Sequence, residues 1–292
     1  MAERVGGSPL AGWLRQPGVL AAVPVTLFLL VGFAGPLILV WWYSLMPPKT
    51  FTLAQMPTLD NFVSSAAGSY YISFGWSLYL AAITVVILML VCYPVAYGMA
   101  KLFGKWANLV TLLIVLQLLV SENIRLFGWV LFLLKNGIMD GSVQYLFGFA
   151  LPSILYTVPA IVLGLVYVYL PFMLFPMVLG LSMVPEALKE AAFDLGATRF
   201  TVFREVELPL ASPGLMIGGL LTFVLVLGSL AESKILGGQT IIMIADDIES
   251  AFTFAQNWPR GAALSVLVMV ISGGLVLLLL RRLDLDRIMG RR

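Results

Sequence analysis

The sequence predicts an all-α integral membrane protein with about six transmembrane helices. Hydrophobic residues make up 61% of the 292 residues, charged residues make up only 11%, and the mean hydropathy is +1.01. Soluble domains typically contain about 25% charged residues. One helix needs about 20 apolar residues to cross roughly 30 Å of hydrocarbon. The chain is therefore long enough for one membrane domain, and no large soluble domain remains.

Six apolar runs are long enough to cross a bilayer. They cover residues 18–45, 73–99, 109–133, 153–182, 213–235 and 261–280. The first is too long for the apolar core of a cleaved signal peptide. The third is interrupted by polar residues between 121 and 125, so it can also end at residue 120. In that case the apolar residues 126–134 lie along the outer surface.

Lysine and arginine set the expected orientation, because cytoplasmic loops retain positive charge. With both termini in the cytoplasm, twelve of the 17 basic residues lie inside: Arg4, Arg15, Lys101, Lys105, Lys189, Arg199, Arg204, Arg281, Arg282, Arg287, Arg291 and Arg292. Five lie outside: Lys49, Arg125, Lys135, Lys234 and Arg260. We expect a cytoplasmic N-terminal segment at 1–17, a membrane domain at 18–280 with a cytoplasmic loop at 183–212, and a cytoplasmic basic tail at 281–292.

The cytoplasmic loop is predicted to form two short helices. The first starts at Pro185 and is amphipathic, with Leu188, Ala191, Ala192 and Leu195 recurring at helical spacing and Glu186, Glu190 and Asp194 on another face. Gly196 can end it in the left-handed conformation. Thr198 can cap a second helix that carries Phe200, Phe203 and Val206 and that Pro209 ends before the fifth span.

The same loop carries a recognisable motif. Glu190, Ala191 and Ala192 are followed after three residues by Gly196, and after nine more by Val206, Glu207, Leu208 and Pro209. This pattern resembles the EAA signature of binding-protein-dependent ABC importer permeases, with valine in place of isoleucine at 206. The flanking stretches YVYLPFMLFPM, ASPGLMIGGLLTF and ILGGQTIIMIADDIESAFTFAQNWPRGAALS are similar to those of polyamine permeases.

The resemblance implies one permease subunit of a bacterial inner-membrane importer. Its partners would be a second permease, in a heterodimer, two cytoplasmic ATPase subunits, a periplasmic binding protein and the lipid bilayer, with no nucleic acid. The chain itself would bind no cofactor, and the ATPase would bind ATP and Mg. The EAA loop would dock on the ATPase through Glu190, Ala191, Ala192, Asp194, Gly196, Phe200, Phe203, Val206, Leu208 and Pro209; the alternative is a loop packed on its own membrane domain.

Other classes of function are disfavoured by the residue inventory. Glu122, Glu232, Asp246 and Asp247 could serve acid-base chemistry, but the chain has no histidine and only one cysteine, Cys92. No Ser-His or Cys-His pair, disulfide or zinc-ligand spacing is possible. GMAKLFGK, residues 98–105, departs from a phosphate-binding loop in its spacing and in the Trp106 that follows it. An ion-coupled secondary transporter or a channel would leave the EAA spacing unexplained.

The sequence indicates less about the substrate and the path that it takes through the membrane. Charged residues at membrane depth cost about 2.5–3.5 kcal/mol, so those retained near spans need a partner or a wet cavity. The candidates for the path are Glu122, Arg125, Glu232 and Lys234; pairing with a neighbouring permease or with headgroups is the alternative. The resemblance favours putrescine or spermidine, and an opine, an amino-acid derivative, a phosphonate or ferric ion remain alternatives.

Two further patterns concern packing. Gly214 and Gly218 have the GxxxG spacing that permits close helix approach, either to a second subunit or within the chain. Within residues 236–260, Ile244, Ile248, Phe252 and Ala255 form an apolar stripe that we expect to lie on the outer membrane surface, with Asp246, Asp247 and Glu249 away from it. Those acids fit either an approaching cation or a solvated docking surface for the binding protein.

Overall fold

A computed structural model describes residues 17–282, and every regular element in this range is helical. The helices are α1 Pro17–Leu29, α2 Gly35–Ser44, α3 Asp60–Ala67, α4 Tyr70–Tyr97, α5 Trp106–Leu118, α6 Glu122–Leu133, α7 Ile138–Phe147, α8 Val158–Ser182, α9 Glu186–Asp194, α10 Arg199–Val202, α11 Leu208–Leu227, α12 Ala231–Ile235, α13 Ile244–Thr253 and α14 Trp258–Arg282. Three π-helical turns, Leu30–Ala34, Gly98–Leu102 and Phe203–Glu207, extend or join them.

The prediction of about six membrane-spanning helices is confirmed. Six helical segments are long and apolar enough to cross a bilayer: Ala22–Ser44, Tyr70–Leu102, Glu122–Phe147, Val158–Ser182, Arg199–Leu227 and Trp258–Leu278. The predicted segments 1–17 and 281–292 lie almost wholly outside the described residues. The side of the membrane that each terminus occupies stays a prediction.

The third span is the element that sequence reasoning placed wrongly. The single run 109–133 is broken after Leu118, and a new helix begins at Glu122 because Ser121 adopts an extended conformation (φ −53°, ψ 138°). The alternative position of residues 126–134 along the outer membrane surface stays a prediction, but the structure shows that this segment packs against the bundle. Leu126 and Leu133 are buried in the core. The ring centroids of Trp129 and of Tyr167 in α8 lie 5.5 Å apart in an edge-on arrangement.

α8 lies at the centre of the bundle, between α4 and α11. Its sequence is apolar on every side, which is the composition expected of a buried helix. α8 approaches α11 where two glycines meet: a Cβ on Gly214 would lie 2.4 Å from the Pro176 carbonyl oxygen and 2.7 Å from the Gly180 Cα. A Cβ on Gly218 would lie 2.9 Å from the Met173 carbonyl oxygen. The GxxxG pair therefore packs helices within this chain.

The fifth span ends earlier than predicted. α11 stops at Leu227, and residues up to 235 belong to a separate turn and to α12, where the sequence had suggested one run over 213–235. Several contacts assemble this end of the bundle. The Tyr156 N–H donates to the Leu236 carbonyl (2.8 Å), and the Lys49 N–H donates to Asn257 Oδ1 (3.0 Å). The loop containing residues 183–198 lies at the other end, which we call the EAA end.

Candidate functional site at the EAA end

The first helix of the predicted loop forms nearly as expected. α9 covers Glu186–Asp194, and Pro185 immediately precedes it in an extended conformation (φ −68°, ψ 132°), so the helix begins one residue after the predicted position. Glu186 occupies the first turn, where a negative charge suits the helix dipole. The local signals in the sequence were therefore sufficient to place this helix.

Gly196 ends α9 in a Schellman motif. Its φ is +82°, in the left-handed region. The Gly196 N–H donates to the Phe193 carbonyl (2.8 Å), and the Ala197 N–H donates to the Ala192 carbonyl (3.0 Å). These two bonds satisfy carbonyls at the helix end that would otherwise lack donors, and they fix the direction of the chain that follows. The predicted role of Gly196 in the turn is confirmed.

The second helix differs from the prediction. Thr198 caps it as expected, accepting at Oγ1 from the Thr201 N–H (3.3 Å). However, α10 does not end before Pro209. It continues through the π turn Phe203–Glu207 into α11, and Arg199–Leu227 forms one helical span. Proline has no N–H, and its ring collides with the carbonyl four residues earlier. The wider π turn before Pro209 is the kind of local adjustment that accommodates this defect without ending a helix.

Most motif residues of this segment are exposed. Glu190, Ala191, Asp194, Gly196 and Pro209 are exposed, and Ala192, Phe203, Val206 and Leu208 are partly buried. Four large apolar side chains near them are also exposed to solvent. Leu195 is 89% exposed and Phe200 is 68% exposed, and the other two are Leu188 and Phe193. The apolar face of α9 is therefore not covered by the chain's own membrane domain.

One side chain attaches α9 to the bundle. Lys189 is the only buried residue of α9, with 4% of its surface exposed. Its Nζ lies 2.7 Å from Glu207 Oε1, 3.1 Å from Glu186 Oε1, and 5.5 Å from the centroid of the Tyr97 ring. Glu186 also contacts Lys101, whose Nζ lies 3.2 Å away from Oε2. We call Lys101, Glu186, Lys189 and Glu207 the charge cluster.

Two members of the charge cluster, Lys189 and Glu186, have pKa values shifted towards their ionised forms. Burial opposes protonation of Lys189, yet hydrogen bonds to Glu207 and Glu186 raise its pKa above the ordinary lysine value. The hydrogen bond from Lys189 in turn lowers the pKa of Glu186. Lys101 additionally donates from Nζ to the Val184 carbonyl (2.7 Å), at the end of α8. None of these four residues belongs to the predicted site, and the Lys101–Glu186 and Lys189–Glu207 contacts join separate helical segments.

The four path candidates lie at the opposite end of the bundle, and only three lie together. Glu232 is fully buried, and its Oε2 accepts a hydrogen bond from the Ser229 hydroxyl, while Oε1 has no partner. Glu122 and Arg125 lie near it on α6, and the Arg125 guanidinium stands 5.7 Å from the Tyr167 ring centroid. Lys234 instead forms a salt bridge with Glu249 of α13. Their role in transport stays a prediction.

Asp246 and Asp247, two acids of α13, are half-buried. α13 packs against α14 and α4, with Ile244 and Ala251 buried. Asp246 Oδ2 accepts from the Met243 N–H (2.9 Å) and from the Ser233 hydroxyl (2.8 Å), and so closes the first turn of the helix. Burial raises the pKa of Asp246 and of Asp247 above the ordinary aspartate value. The part of these two acids in the approach of a cation or in docking of a binding protein stays a prediction.

The fold and the motif-bearing segment define a class of protein: a multi-pass helical membrane protein with an exposed helical segment at one end of the bundle. Residues 84–288 match the family described as binding-protein-dependent transport system inner membrane component. The chain belongs to this family. It is a permease subunit of an ABC importer rather than an enzyme, as the sequence predicts.

Relatives with assigned names support the same conclusion. The chain is 34% identical over 221 residues to the spermidine/putrescine transport system permease protein PotB of Haemophilus influenzae, covering 75% of this chain and 77% of that one. It is 31% identical to PotB of Escherichia coli over 75% of this chain and 80% of that protein. It is 29% identical to the inner membrane ABC transporter permease protein YdcU of Escherichia coli, covering 96% of this chain and 95% of that protein.

A solved structure supports the fold. The chain superposes with a TM-score of 0.73 and 18% identity on a chain of a bacterial alginate ABC transporter in complex with an alginate pentasaccharide-bound periplasmic protein, over 93% of this chain and 96% of that one. At this level of identity the likeness concerns the fold alone. The family assignment excludes the two alternative classes of function, a secondary transporter and a channel.

Proposed function

We propose that residues 183–212, the EAA segment, dock this permease onto a cytoplasmic ATPase. The observation that carries the proposal is the exposed face of α9, on which Leu188, Ala191 and Leu195 lie open beside Glu190 and Asp194. Apolar side chains exposed in a charged segment outside the spans mark a protein contact. Ala191 allows close approach, while Phe200 offers a bulky anchor of the kind favoured in interfaces.

The assembly that follows contains several subunits. A second permease forms a heterodimer with this chain, two ATPase subunits bind ATP and Mg at the cytoplasmic face, and a periplasmic protein delivers the solute. ATP-driven closure of the ATPases moves the EAA segments and switches the membrane helices between two states. The chain resides in a bacterial inner membrane with both termini in the cytoplasm. Family membership and the excess of basic residues at the EAA end support this arrangement.

The proposed solute is a polyamine, putrescine or spermidine. Two relatives at 31% and 34% identity carry a spermidine/putrescine permease name. A phosphonate is the second candidate, because the chain is also 24% identical to the putative 2-aminoethylphosphonate transport system permease protein PhnU of Salmonella typhimurium, over 90% of this chain and 88% of that one.

The docking surface is tested by changing the exposed face of α9. Glu190→Arg reverses a charge and Ala191→Trp blocks close approach, so each is expected to reduce co-purification of the ATPase and solute uptake by about tenfold or more, without loss of membrane insertion. Asp60→Arg is the matched control, because Asp60 is exposed at the opposite end. Normal uptake and normal ATPase attachment in both α9 variants would overturn the docking proposal.

The solute is tested in proteoliposomes that contain both permeases, the ATPase and the binding protein. Putrescine, spermidine and 2-aminoethylphosphonate are each added with the binding protein, and ATP hydrolysis and solute accumulation are measured. A polyamine is expected to stimulate hydrolysis and to accumulate, whereas 2-aminoethylphosphonate is not. Stimulation by the phosphonate alone would replace the polyamine proposal and leave the ATPase-docking proposal intact.

A further inference from the structure

Lys189 is the single place where α9 is anchored in the interior of the protein. Its ammonium lies between two carboxylates, Glu207 at 2.7 Å and Glu186 at 3.1 Å, and faces the Tyr97 ring at 5.5 Å. Neighbouring side chains on the same helix, including Leu188 and Glu190, are exposed. A force applied to the exposed face of α9 therefore reaches the bundle largely through this one side chain and through the chain connections at the two helix ends.

The contacts of Lys189 lead to two different spans. Glu207 belongs to the π turn Phe203–Glu207, which runs directly into α11. Glu186 contacts Lys101 in the π turn Gly98–Leu102, which ends α4. A contact between aromatic rings reinforces the same junction. The ring centroids of Phe203 and Tyr93 lie 5.6 Å apart in an edge-on arrangement. The charge cluster thus connects the helix that faces the ATPase with the ends of α4 and α11.

The two connections differ in strength. The side chains of Lys189 and Glu207 are only 5% and 10% exposed, so separating them would leave the Glu207 carboxylate buried without a cation, which is costly. The Lys101–Glu186 pair is more open, with side chains 17% and 60% exposed, and water can replace either partner at little cost. Movement of α9 is therefore tightly coupled to α11 and loosely coupled to α4.

We propose that Lys189 is a positioning residue that transmits displacement of α9 to α11 through Glu207. The proposal rests on the proposed docking of the EAA segment on an ATPase. Its physical basis is that the Lys189–Glu207 ion pair is short and buried, so separating the two charges is costly. The π turn next to Glu207 supplies a locally adjustable element at the point where the motion enters the span. Lys189 lies outside the EAA motif residues themselves.

A purely structural ion pair would show a different pattern of variants. Lys189→Met leaves the Glu207 carboxylate buried without a cation, and Glu207→Gln leaves Lys189 with Glu186 alone, so each is expected to lower stability, the first by more. The double variant Lys189→Met with Glu207→Gln removes both charges and so relieves that cost. If the pair only stabilises the fold, the double variant recovers both stability and transport. If the pair transmits motion, the double variant recovers stability but not coupling.

The test uses the complete complex with its ATPase and binding protein in proteoliposomes. The readouts are ATPase co-purification, thermal unfolding and the amount of solute imported per ATP hydrolysed. The double variant is expected to co-purify with the ATPase and to unfold near the wild-type temperature, while import per ATP falls about tenfold. Lys105→Met is the control, because Lys105 is an exposed lysine at the same end of the bundle. Lys101→Met is expected to have a smaller effect than the double variant.

The possible failures are distinguishable. Wild-type import per ATP in the double variant would overturn the transmission proposal while leaving docking intact. A double variant that fails to assemble would also overturn it, because the pair would then be required for folding. Loss of ATPase attachment in Lys189→Met equal to that of Glu190→Arg would assign Lys189 to docking instead. Failure of the docking proposal itself shows as unchanged attachment in Glu190→Arg and Ala191→Trp.

Discussion

Gly196 sets the angle between α9 and the helix that continues into the fifth span. Its φ of +82° is a conformation that costs an L-residue roughly 1–2 kcal/mol. No heavy atom lies within 4 Å of the position where its Cβ would stand, so the whole cost of a side chain arises in the backbone. A substitution at Gly196 therefore changes the backbone energy of the turn without introducing a steric clash.

Replacing Gly196 is predicted to weaken the turn without any steric clash. Gly196→Ala is expected to lower the free energy of unfolding by about 1 kcal/mol and to reduce ATPase co-purification, because the Schellman bonds no longer form without strain. Gly196→Asn is the control, since asparagine tolerates the left-handed region better than alanine. Equal thermal unfolding temperatures for the alanine, asparagine and wild-type proteins would contradict the prediction.

At the scale of single residues, local spacing predicted what local interactions determine. Gly196 and Thr198 were placed correctly because their bonds reach only three to five residues along the chain. The Lys189–Glu207 contact joins residues in two different helices, and a lysine between Leu188 and Glu190 carries no signal that it is buried. Its position depends on how α9 packs beside the π turn, which only the three-dimensional structure shows.

At the scale of elements, the errors occur where helices bend or break. Pro209 suggested a boundary, but the π turn before it absorbs the proline and the helix continues. The run 109–133 was interrupted by polar residues from 121 to 125, and the helix breaks there, since the extended Ser121 ends the hydrogen-bond ladder. Hydropathy reports burial in lipid or protein, and it does not register a local change in backbone conformation. Span existence was therefore predictable, whereas the bounds of the third and fifth spans were not.

The contact between α8 and α11 leads to a prediction at this scale. Gly214→Ala would place a Cβ 2.4 Å from a backbone oxygen, so the helices must separate, and such overpacking typically costs about 1–3 kcal/mol. Gly273→Ala in α14 is the matched control, because no heavy atom lies within 4 Å of its Cβ position. Thermal unfolding in detergent measures both. Equal stability of the two variants would contradict the assigned packing.

At the scale of the whole molecule, the charged residues near the spans were predictable from sequence, but the surfaces that they face were not. The Glu232 carboxylate is enclosed within the chain, near Arg125 and Glu122, rather than open to a cavity. Sequence reasoning identified these charges because they are expensive at membrane depth. It could not determine which surface they face, since that depends on helix rotation. The EAA segment was predictable because a continuous motif encodes it.

Charge asymmetry between the two ends gives the last prediction. In a Cys92→Ser background, Lys105→Cys at the EAA end and Asp60→Cys at the opposite end each introduce one exposed thiol. Because basic residues concentrate at the EAA end, we expect that end to be cytoplasmic. A membrane-impermeant thiol reagent should therefore label Asp60→Cys in cells with a permeabilised outer membrane, and label Lys105→Cys only after the inner membrane is opened. The parent protein with Cys92, which is buried, should stay unlabelled in both conditions. The reverse pattern would place the EAA segment on the side without ATP and would exclude its docking on an ATPase.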